Sequence, residues 1–309
     1  MNGIPQASIW RNRAFVFLSA GQFLSTCGTN ISSLALPILV LAVTHSPLQA
    51  GLLGAVRLAP YPLLALPAGV MVDRWNRKTL MIGCDLVRWV ALGAVPLAAA
   101  LGHLSLVLLG VVAFVEGAAN VFFSLAQVSA LPLIVAPDQV GRAWAVNESS
   151  GAVAELAGPS LAGVIIGLGR TTVVGATFAY LADSCSYLIS VITLRGIRVP
   201  FHAAQKDVPQ GMWREIADGL RFLWQVPRLR VLVLVTTAVN FLQAPLLLIL
   251  VVLGQMELHL DVRTLGVVLG IGSAGGILGA ICAPWLTERF SSSRIILVCF
   301  ALWAVATVV

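Results

Sequence analysis

Charged residues are scarce in this chain of 309 residues. Only 10% are Asp, Glu, Lys or Arg, whereas 59% are hydrophobic, and the mean hydropathy is +0.94. A soluble domain carries about 25% charged residues and at most about half apolar ones. A water-soluble fold of this length could not bury so much apolar surface. The composition therefore predicts a protein whose solvent is a lipid bilayer.

Signatures of enzyme chemistry are also lacking. The five cysteines lie within or beside apolar runs, without the spacing of a metal site or a disulfide framework, and the four histidines are scattered near loops. No phosphate-binding loop of the Walker type occurs, so we expect no ATP site on this chain. We expect no enzymatic activity and no metal or other cofactor.

Long apolar runs fill most of the sequence. A helix needs about 20 apolar residues to cross a hydrocarbon core of ~30 Å. The predicted fold class is therefore an all-α membrane protein. Its spans are expected at residues 14–43, 49–72, 79–101, 105–135, 145–169, 173–194, 231–256 and 264–286, with a partial ninth span from residue 295.

The spacing of these runs divides the chain into three parts. Residues 1–197 form a predicted six-helix bundle with short connections, and residues 231–309 form a second, partial bundle. Residues 198–230 form a polar, basic linker. Within it, one helix face carries Trp213, Ile216, Leu220 and Leu223. We expect this amphipathic helix to lie at the membrane surface or to pack on the protein's own cytoplasmic face.

Basic residues mark one side of the membrane. Arg57 and Arg88 lie inside spans, and only Arg170 and Arg263 fall in the loops of one side. Every other Lys and Arg falls on the opposite side, together with the amino terminus. This asymmetry predicts a multi-pass protein of the cytoplasmic (inner) cell membrane with a cytoplasmic amino terminus. It also accounts for the net charge of +6 without a nucleic-acid partner.

A short charged loop joins the second and third spans. Its pattern is Gly69-x-x-x-Asp73-Arg74-x-x-Arg77-Lys78. The pattern resembles the signature loop of the major facilitator superfamily, although this sequence has an asparagine at position 76 where the family has glycine. A fainter copy between the eighth and ninth spans has Glu288, Arg289 and Arg294.

The resemblance implies a particular architecture. The superfamily is built from two parallel six-helix halves, and a loop pattern repeated one half-protein apart fits that plan. The last apolar run, residues 295–309, rises only about 22 Å as a helix, which is short of a full span. We therefore expect a complete six-helix amino-terminal bundle and about three helices of an incomplete carboxyl-terminal bundle.

Within the superfamily, the sequence is similar to those of the branch of macrolide-efflux and enterobactin-exporter-like proteins. The stretches that carry this likeness include "DLVRW" and "VNESSGAVAELAGPSLAGVI". The second contains Gly158, Pro159 and Gly163, which resemble the fifth-span motif of proton-coupled exporters.

This likeness implies a secondary-active exporter of drug, macrolide or siderophore-like small molecules. Such a transporter works by alternating access, draws on a proton gradient and, at full length, is a monomer with a small-molecule substrate and the bilayer as partners. The alternatives are a truncated membrane protein that does not transport, which the length favours, and a nutrient importer, which the fifth-span motif disfavours.

Asp73 is the candidate conformational latch. It sits at the carboxyl end of the second span, where the helix dipole disfavours an anion, and therefore needs a partner. The resemblance implies that this carboxylate bonds to the other half of the protein, with Arg77 in the same network. The alternative is that Arg74, Arg77 and Lys78 only retain the loop in the cytoplasm.

Charges inside spans form the second group of candidates, because they are costly in lipid. Asp85 and Arg88 are three residues apart and share a helix face, which favours a structural ion pair. Arg57 is alone in its span and needs a carboxylate from another helix. Four carboxylates could supply it, and each is also a candidate for proton coupling, since a carboxyl in a low-dielectric interior can exchange a proton near neutral pH. These are Glu116, Glu148, Glu155 and Asp183.

A polar stripe follows the first span. Gln22, Thr26, Thr29 and Ser33 recur at helical spacing, and Asn30 broadens the stripe. We expect it to line a water-accessible cavity. The alternative is hydrogen bonding between neighbouring helices.

Overall fold

The computed structural model describes residues 9–198, 212–243, 245–269, 289 and 298–299. Within these ranges all regular secondary structure is helical and no strand occurs, in agreement with the predicted all-α class. Two predicted site residues, Glu288 and Arg294, lie outside the described residues, as does most of the predicted eighth and ninth spans.

Ten α-helices follow one another along the described part of the chain. A π-helical turn at Leu253–Glu257 continues the last of them, and residues 262–269 are again helical. The helices are α1 Arg13–Thr44, α2 Pro47–Leu58, α3 Pro60–Arg74, α4 Arg77–Ala100, α5 Leu106–Ile134, α6 Val140–Gly167, α7 Thr172–Gly196, α8 Met212–Gln225, α9 Pro227–Gln243 and α10 Leu246–Val252.

Seven helical stretches in the described ranges are long and apolar enough to cross a membrane. The second of them, Pro47–Arg74, is interrupted where α2 ends at Leu58 and α3 begins at Pro60. Pro60 has no backbone N–H to continue the hydrogen-bond ladder, and this accounts for the break in the predicted second span. The seventh stretch, Leu229–Glu257, runs through α9 and α10.

Polar side chains fix where the spans begin. At five helix starts the side-chain oxygen of the preceding residue accepts a hydrogen bond from a backbone N–H of the first turn, which would otherwise lack a partner. These capping residues are Asn12, Ser46, Asn76, Ser105 and Thr171.

The first seven helices form one bundle with two apolar cores. α1 packs against α6 and α7, while α5 packs against α2, α3 and α4. One core, which contains Phe15 and Met81, lies at the end of the bundle that holds Asp73. The other, which contains Leu39 and Val112, lies at the end that holds His45. We call these ends the Asp73 end and the His45 end.

The segment after α9 packs across the His45 end. Val251 and Leu265 are buried there and belong to the same core as Leu39. Asp261 accepts hydrogen bonds from the backbone N–H and the hydroxyl of Thr264 at the start of the helical residues 262–269, and these bonds lower the pKa of its carboxyl. α9, in contrast, is exposed along almost its whole length. The described helical residues after α9 therefore pack on the amino-terminal helices at the His45 end.

The predicted linker helix is α8. It contacts α3 of the amino-terminal bundle, so it lies against the protein's own surface. Phe222 and Trp224 on the same helix are exposed, which leaves aromatic side chains free to meet lipid.

Candidate functional site

A group of polar side chains separates the two apolar cores. It lies near the midpoints of α4, α5 and α7 and at the junction of α2 and α3, and α1 packs beside it. We call this group the polar layer. Its members are Arg57, Tyr61, Asp85, Arg88, Glu116, Asn120, Asp183 and Tyr187.

Arg57 and Glu116 form an ion pair between α2 and α5. Arg57 Nε lies 2.5 Å from Glu116 Oε2, and Arg57 Nη2 lies 3.1 Å from Oε1, so the guanidinium donates hydrogen bonds to both carboxylate oxygens. The remaining Nη1 donates to the Ser33 hydroxyl of α1 at 2.6 Å. Of the four carboxylates that the sequence offered to Arg57, the structure places Glu116 beside it. This bidentate geometry is the strong form of a charge-assisted hydrogen bond.

Arg88 occupies the centre of the layer and is almost fully buried. Its Nη2 donates to Asp85 Oδ1 at 2.7 Å, and its Nη1 donates to Asn120 Oδ1 at 3.2 Å. The guanidinium carbon lies 4.5 Å from the ring centroid of Phe123 and 4.4 Å from that of Tyr187. Two aromatic faces and two hydrogen-bond acceptors therefore replace the water that this cation gives up.

The network continues from Arg88 to other helices. The Asn120 amide donates to the Tyr61 hydroxyl of α3, and the Tyr187 hydroxyl shares a hydrogen bond of 2.8 Å with Thr29 of α1. Sequence reasoning missed Tyr61, Asn120 and Tyr187. The chain has only three tyrosines, and this scarcity was the available signal for two of them.

Asp183 differs from the other charged residues of the layer. It is completely buried on α7, and its Oδ1 lies where a Cβ on Gly28 of α1 would collide with it. Ser186 donates to Oδ1 at 3.3 Å and the Ser32 hydroxyl of α1 also lies beside the carboxyl, but Oδ2 has no partner in hydrogen-bonding geometry. Among the described residues, no Lys or Arg lies within 4 Å of the carboxyl. The layer thus contains three carboxyls against two guanidinium groups, and Asp183 is the carboxyl without a counterion.

Glu148 and Glu155 are both exposed on α6. The face of α6 that carries Glu155 does not point into the amino-terminal bundle, so the described residues do not bury this carboxyl, and its role in proton coupling stays a prediction. α6 instead buries Ala154, Gly158 and Ala162.

The polar stripe of α1 divides between the two expected roles. Thr29 and Ser33 hydrogen-bond to side chains of neighbouring helices, as described above. Asn30 donates to the Thr26 carbonyl at 2.9 Å within α1. Gln22 and Thr26 line a cavity of about 60 Å³ between α1, α5 and α6, on the Asp73 side of the polar layer.

We call this space the amide cavity. The Gln127 amide of α5 donates to the Asn147 Oδ1 of α6 at 3.0 Å, and the Gln22 amide donates to the Thr26 hydroxyl at 3.3 Å. Sequence reasoning missed Gln127 and Asn147, although a glutamine within the apolar fourth span was a visible signal. The lining residues are Ser19, Gln22, Phe23, Thr26, Gln127, Asn147, Ser150 and Gly151.

The signature loop connects α3 to α4. Asp73 is largely exposed and lies 3.8 Å from Arg77 of the same loop. Lys78 Nζ donates to the carbonyl of Ile197 at 2.6 Å, beyond the carboxyl end of α7. Gly69 has open space where a side chain would extend. Arg74, on the same loop, is exposed.

The expected interaction of Asp73 with the second half concerns a region that the described residues do not include. In the second copy of the loop pattern, Arg289 is helical. The latch therefore stays a prediction.

The fifth-span motif lies where α6 meets two other elements. A Cβ on Gly158 would collide with Asn30 of α1, so α6 and α1 are in close contact there. A Cβ on Gly163 would lie 2.9 Å from the Cα of Gly266. Close helix contacts of this kind require residues without side chains.

These features define a class of protein. This is the class of all-helical, multi-pass membrane proteins with buried charges near the middle of their spans. A solved structure of a bacterial homologue of the human lysosomal transporter Spinster shares this fold with a TM-score of 0.70. It is 15% identical in sequence, and the match covers 92% of this chain and 64% of the other.

The chain belongs to the family described as transmembrane secretion effector, within the major facilitator superfamily, and the match covers residues 6–309. The "Multidrug efflux pump Tap" of Mycobacterium tuberculosis is 29% identical over 288 residues, which cover 88% of this chain and 65% of that protein. The "Macrolide efflux protein A" of Streptococcus pyogenes is 24% identical over 233 residues, which cover 75% of this chain and 56% of the relative. The chain therefore spans less than two thirds of the length of these relatives.

Proposed function

We propose that this chain forms the amino-terminal bundle and part of the second bundle of a secondary-active exporter of small molecules. Its energy source is the proton gradient, and it works by alternating access without ATP. Family membership supports transport, and the names of the two relatives support efflux of drug-like or macrolide-like compounds. The amino terminus and the signature loop lie in the cytoplasm, and the full-length protein acts as a monomer in the cell membrane.

The uncompensated carboxyl of Asp183 carries this proposal. Glu116 is neutralised by Arg57, whereas Glu148 and Glu155 are exposed, so three of the four candidate carboxylates lack the required environment. An ionised carboxylate without a partner in a dry interior costs several kcal/mol. A proton is the smallest partner that removes this cost, and Asp183 is therefore the proton-binding residue.

The position of Asp183 couples its protonation to helix packing. It lies against Gly28 of α1, and two guanidinium groups, those of Arg57 and Arg88, are its nearest sources of positive charge in the layer. Both are already held by Glu116 and Asp85. When Asp183 loses its proton, it competes for these cations, and α1, α2 and α4 must shift relative to α7 to bring one of them closer. Proton release thereby favours a different packing of the bundle, which is what alternating access needs.

The test uses proteoliposomes that contain the purified 309-residue chain and the macrolide erythromycin as the transported compound. The wild type should accumulate erythromycin only when a proton gradient is imposed. Asp183→Asn keeps the shape of the side chain but cannot release a proton. It should abolish gradient-driven uptake while it preserves exchange of labelled for unlabelled erythromycin.

Asp138→Asn, in the exposed turn before α6, is the matched control and should leave both activities unchanged. Normal gradient-driven transport by Asp183→Asn would refute the assignment of the proton site. A wild-type chain that shows neither uptake nor exchange would instead support the alternative of a non-transporting membrane protein.

A further inference from the structure

We propose that the amide cavity binds an uncharged hydroxyl or amide group of the transported molecule. This inference rests on the proposed function and specifies its substrate class as molecules that carry several uncharged hydrogen-bonding groups. The cavity would recognise one such group, while the greater part of the molecule remains outside it.

The lining of the cavity is polar but carries no charge. Six of its eight residues have a hydroxyl or a carboxamide, and none is acidic or basic. Amides and hydroxyls both donate and accept hydrogen bonds, so they match neutral polar groups of either kind. A cation placed here would meet no carboxylate among the lining residues, and its loss of hydration would go uncompensated.

One hydrogen-bonding atom in this lining is unused. Gln22 Oε1 is buried and has no hydrogen-bond partner, although the amide nitrogen of the same side chain donates to Thr26. A buried acceptor without a partner is unfavourable, because it has lost its hydrogen bonds to water and gained none in return. An O–H or N–H group delivered by a ligand would remove that cost, which points to a bound donor rather than to a structural role alone.

The size of the cavity limits what it can hold. About 60 Å³ accommodates a few water molecules or one small polar substituent, and it is far below the 300–1,000 Å³ of a site that encloses a whole drug-sized molecule. The amide cavity is therefore a subsite that binds one substituent of a larger substrate.

The cavity is also connected to the polar layer through α1. Thr26 lines the cavity, and Thr29, one turn further, bonds to Tyr187 of α7. Tyr187 in turn lies one turn from Asp183 on the same helix. A ligand group seated in the cavity thus contacts the helix against which the proposed proton site packs.

Direct binding to the purified chain in lipid nanodiscs tests this inference without any need for transport. The two probes are chloramphenicol, which is neutral and carries two hydroxyls and an amide, and tetraphenylphosphonium, which is a cation without any O–H or N–H group. Gln127→Leu and Ser150→Ala each remove one polar group from the lining. Each should weaken chloramphenicol binding by about three- to tenfold, the equivalent of one net hydrogen bond, and leave tetraphenylphosphonium binding unchanged.

Gln49→Leu is the matched control. Gln49 is also half-buried with an unpartnered Oε1, but it lies at the start of α2 and outside the cavity. Its replacement should change neither affinity. Thermal unfolding of each variant shows whether it is folded, and Ser150→Ala adds no bulk that could disturb packing.

Three results would overturn the inference: no binding of chloramphenicol by the wild type, equal losses for both probes, or an equal loss in Gln49→Leu. Failure of the proposed function looks different. In that case chloramphenicol binding and its sensitivity to Gln127→Leu persist, while gradient-driven transport is absent.

Discussion

Gly163 of α6 and Gly266 face each other so closely that neither position can hold a side chain. A Cβ on Gly266 would lie 2.7 Å from the Cα of Gly163, and beside this contact Arg263 Nη2 donates to the Gly167 carbonyl at 3.3 Å. The atoms in the way belong to the backbone, which cannot move aside as the end of a flexible side chain can. At the His45 end, α6 and the helical residues 262–269 are therefore joined by backbone packing.

The first prediction concerns this contact. Gly163→Val should force α6 away from residues 262–266 and expose the face between them. In a chain whose cysteines are replaced by serine, Ser160→Cys reports the change, since Ser160 donates to the Gly266 carbonyl across the same contact. Its labelling by a membrane-impermeant maleimide should increase several-fold. Gly54→Val, where a Cβ meets open space, should not alter the labelling; equal labelling in all three proteins would contradict the prediction.

The second prediction concerns the ion pair of Arg57 and Glu116. Glu116→Gln leaves a largely buried guanidinium without its counterion, and this should reduce the free energy of unfolding by about 3–5 kcal/mol. The double variant Arg57→Met/Glu116→Leu removes both charges and should recover most of that loss. Thermal unfolding of the purified variants in detergent measures both effects. Additive losses in the double variant would show that the two residues do not act as a pair.

The helices were predictable because lipid imposes a strong rule on composition. The first span, predicted at residues 14–43, corresponds to α1 at Arg13–Thr44. The capping residues Ser105 and Thr171 can be recognised in the sequence directly before α5 and α7. The break before Pro60 was less certain, because proline only bends many membrane helices.

The polar layer was harder to predict from sequence. Hydropathy shows that Arg57 needs a carboxylate, but only the mutual rotation of α2 and α5 selects Glu116. Glu155 illustrates the converse. A carboxylate within an apolar run is predicted to be buried. Whether its helix face points into the bundle depends on the neighbouring helices, which the sequence of one helix does not show. For the same reason, the contact of Arg88 with Tyr187 could not be predicted, because these residues are far apart in sequence.

The third prediction concerns the stacked guanidinium of Arg88. Arg88→Lys keeps the charge, but an ammonium group cannot lie flat between two rings while it also bonds to Asp85 and Asn120. The free energy of unfolding should fall by about 1–3 kcal/mol, in line with the loss of a desolvated cation–π contact and a hydrogen bond. Tyr187→Phe retains the ring and loses only the bond to Thr29, so it should cost about 1 kcal/mol. Chemical or thermal unfolding compares the two, and a larger loss in Tyr187→Phe would contradict this ranking.

The last prediction separates the two roles of the signature loop. The Asp73 side chain is 64% exposed and lies 3.8 Å from the buried Arg77, near the limit for an ion pair, and a largely solvated carboxylate of this kind contributes at most about 1 kcal/mol. Asp73→Asn should therefore leave stability almost unchanged.

If the carboxylate acts as the proposed latch to the second half, Asp73→Asn should lower the rate of gradient-driven erythromycin transport. Proteoliposomes are used for this measurement, because there the orientation of the loop is not set by membrane insertion in a cell. Lys78→Met, in contrast, should lower the unfolding temperature. Lys78 donates a hydrogen bond to the Ile197 carbonyl beyond the end of α7, and the variant loses this bond. A loop that serves topology alone would give Asp73→Asn the same transport rate as the control Asp138→Asn.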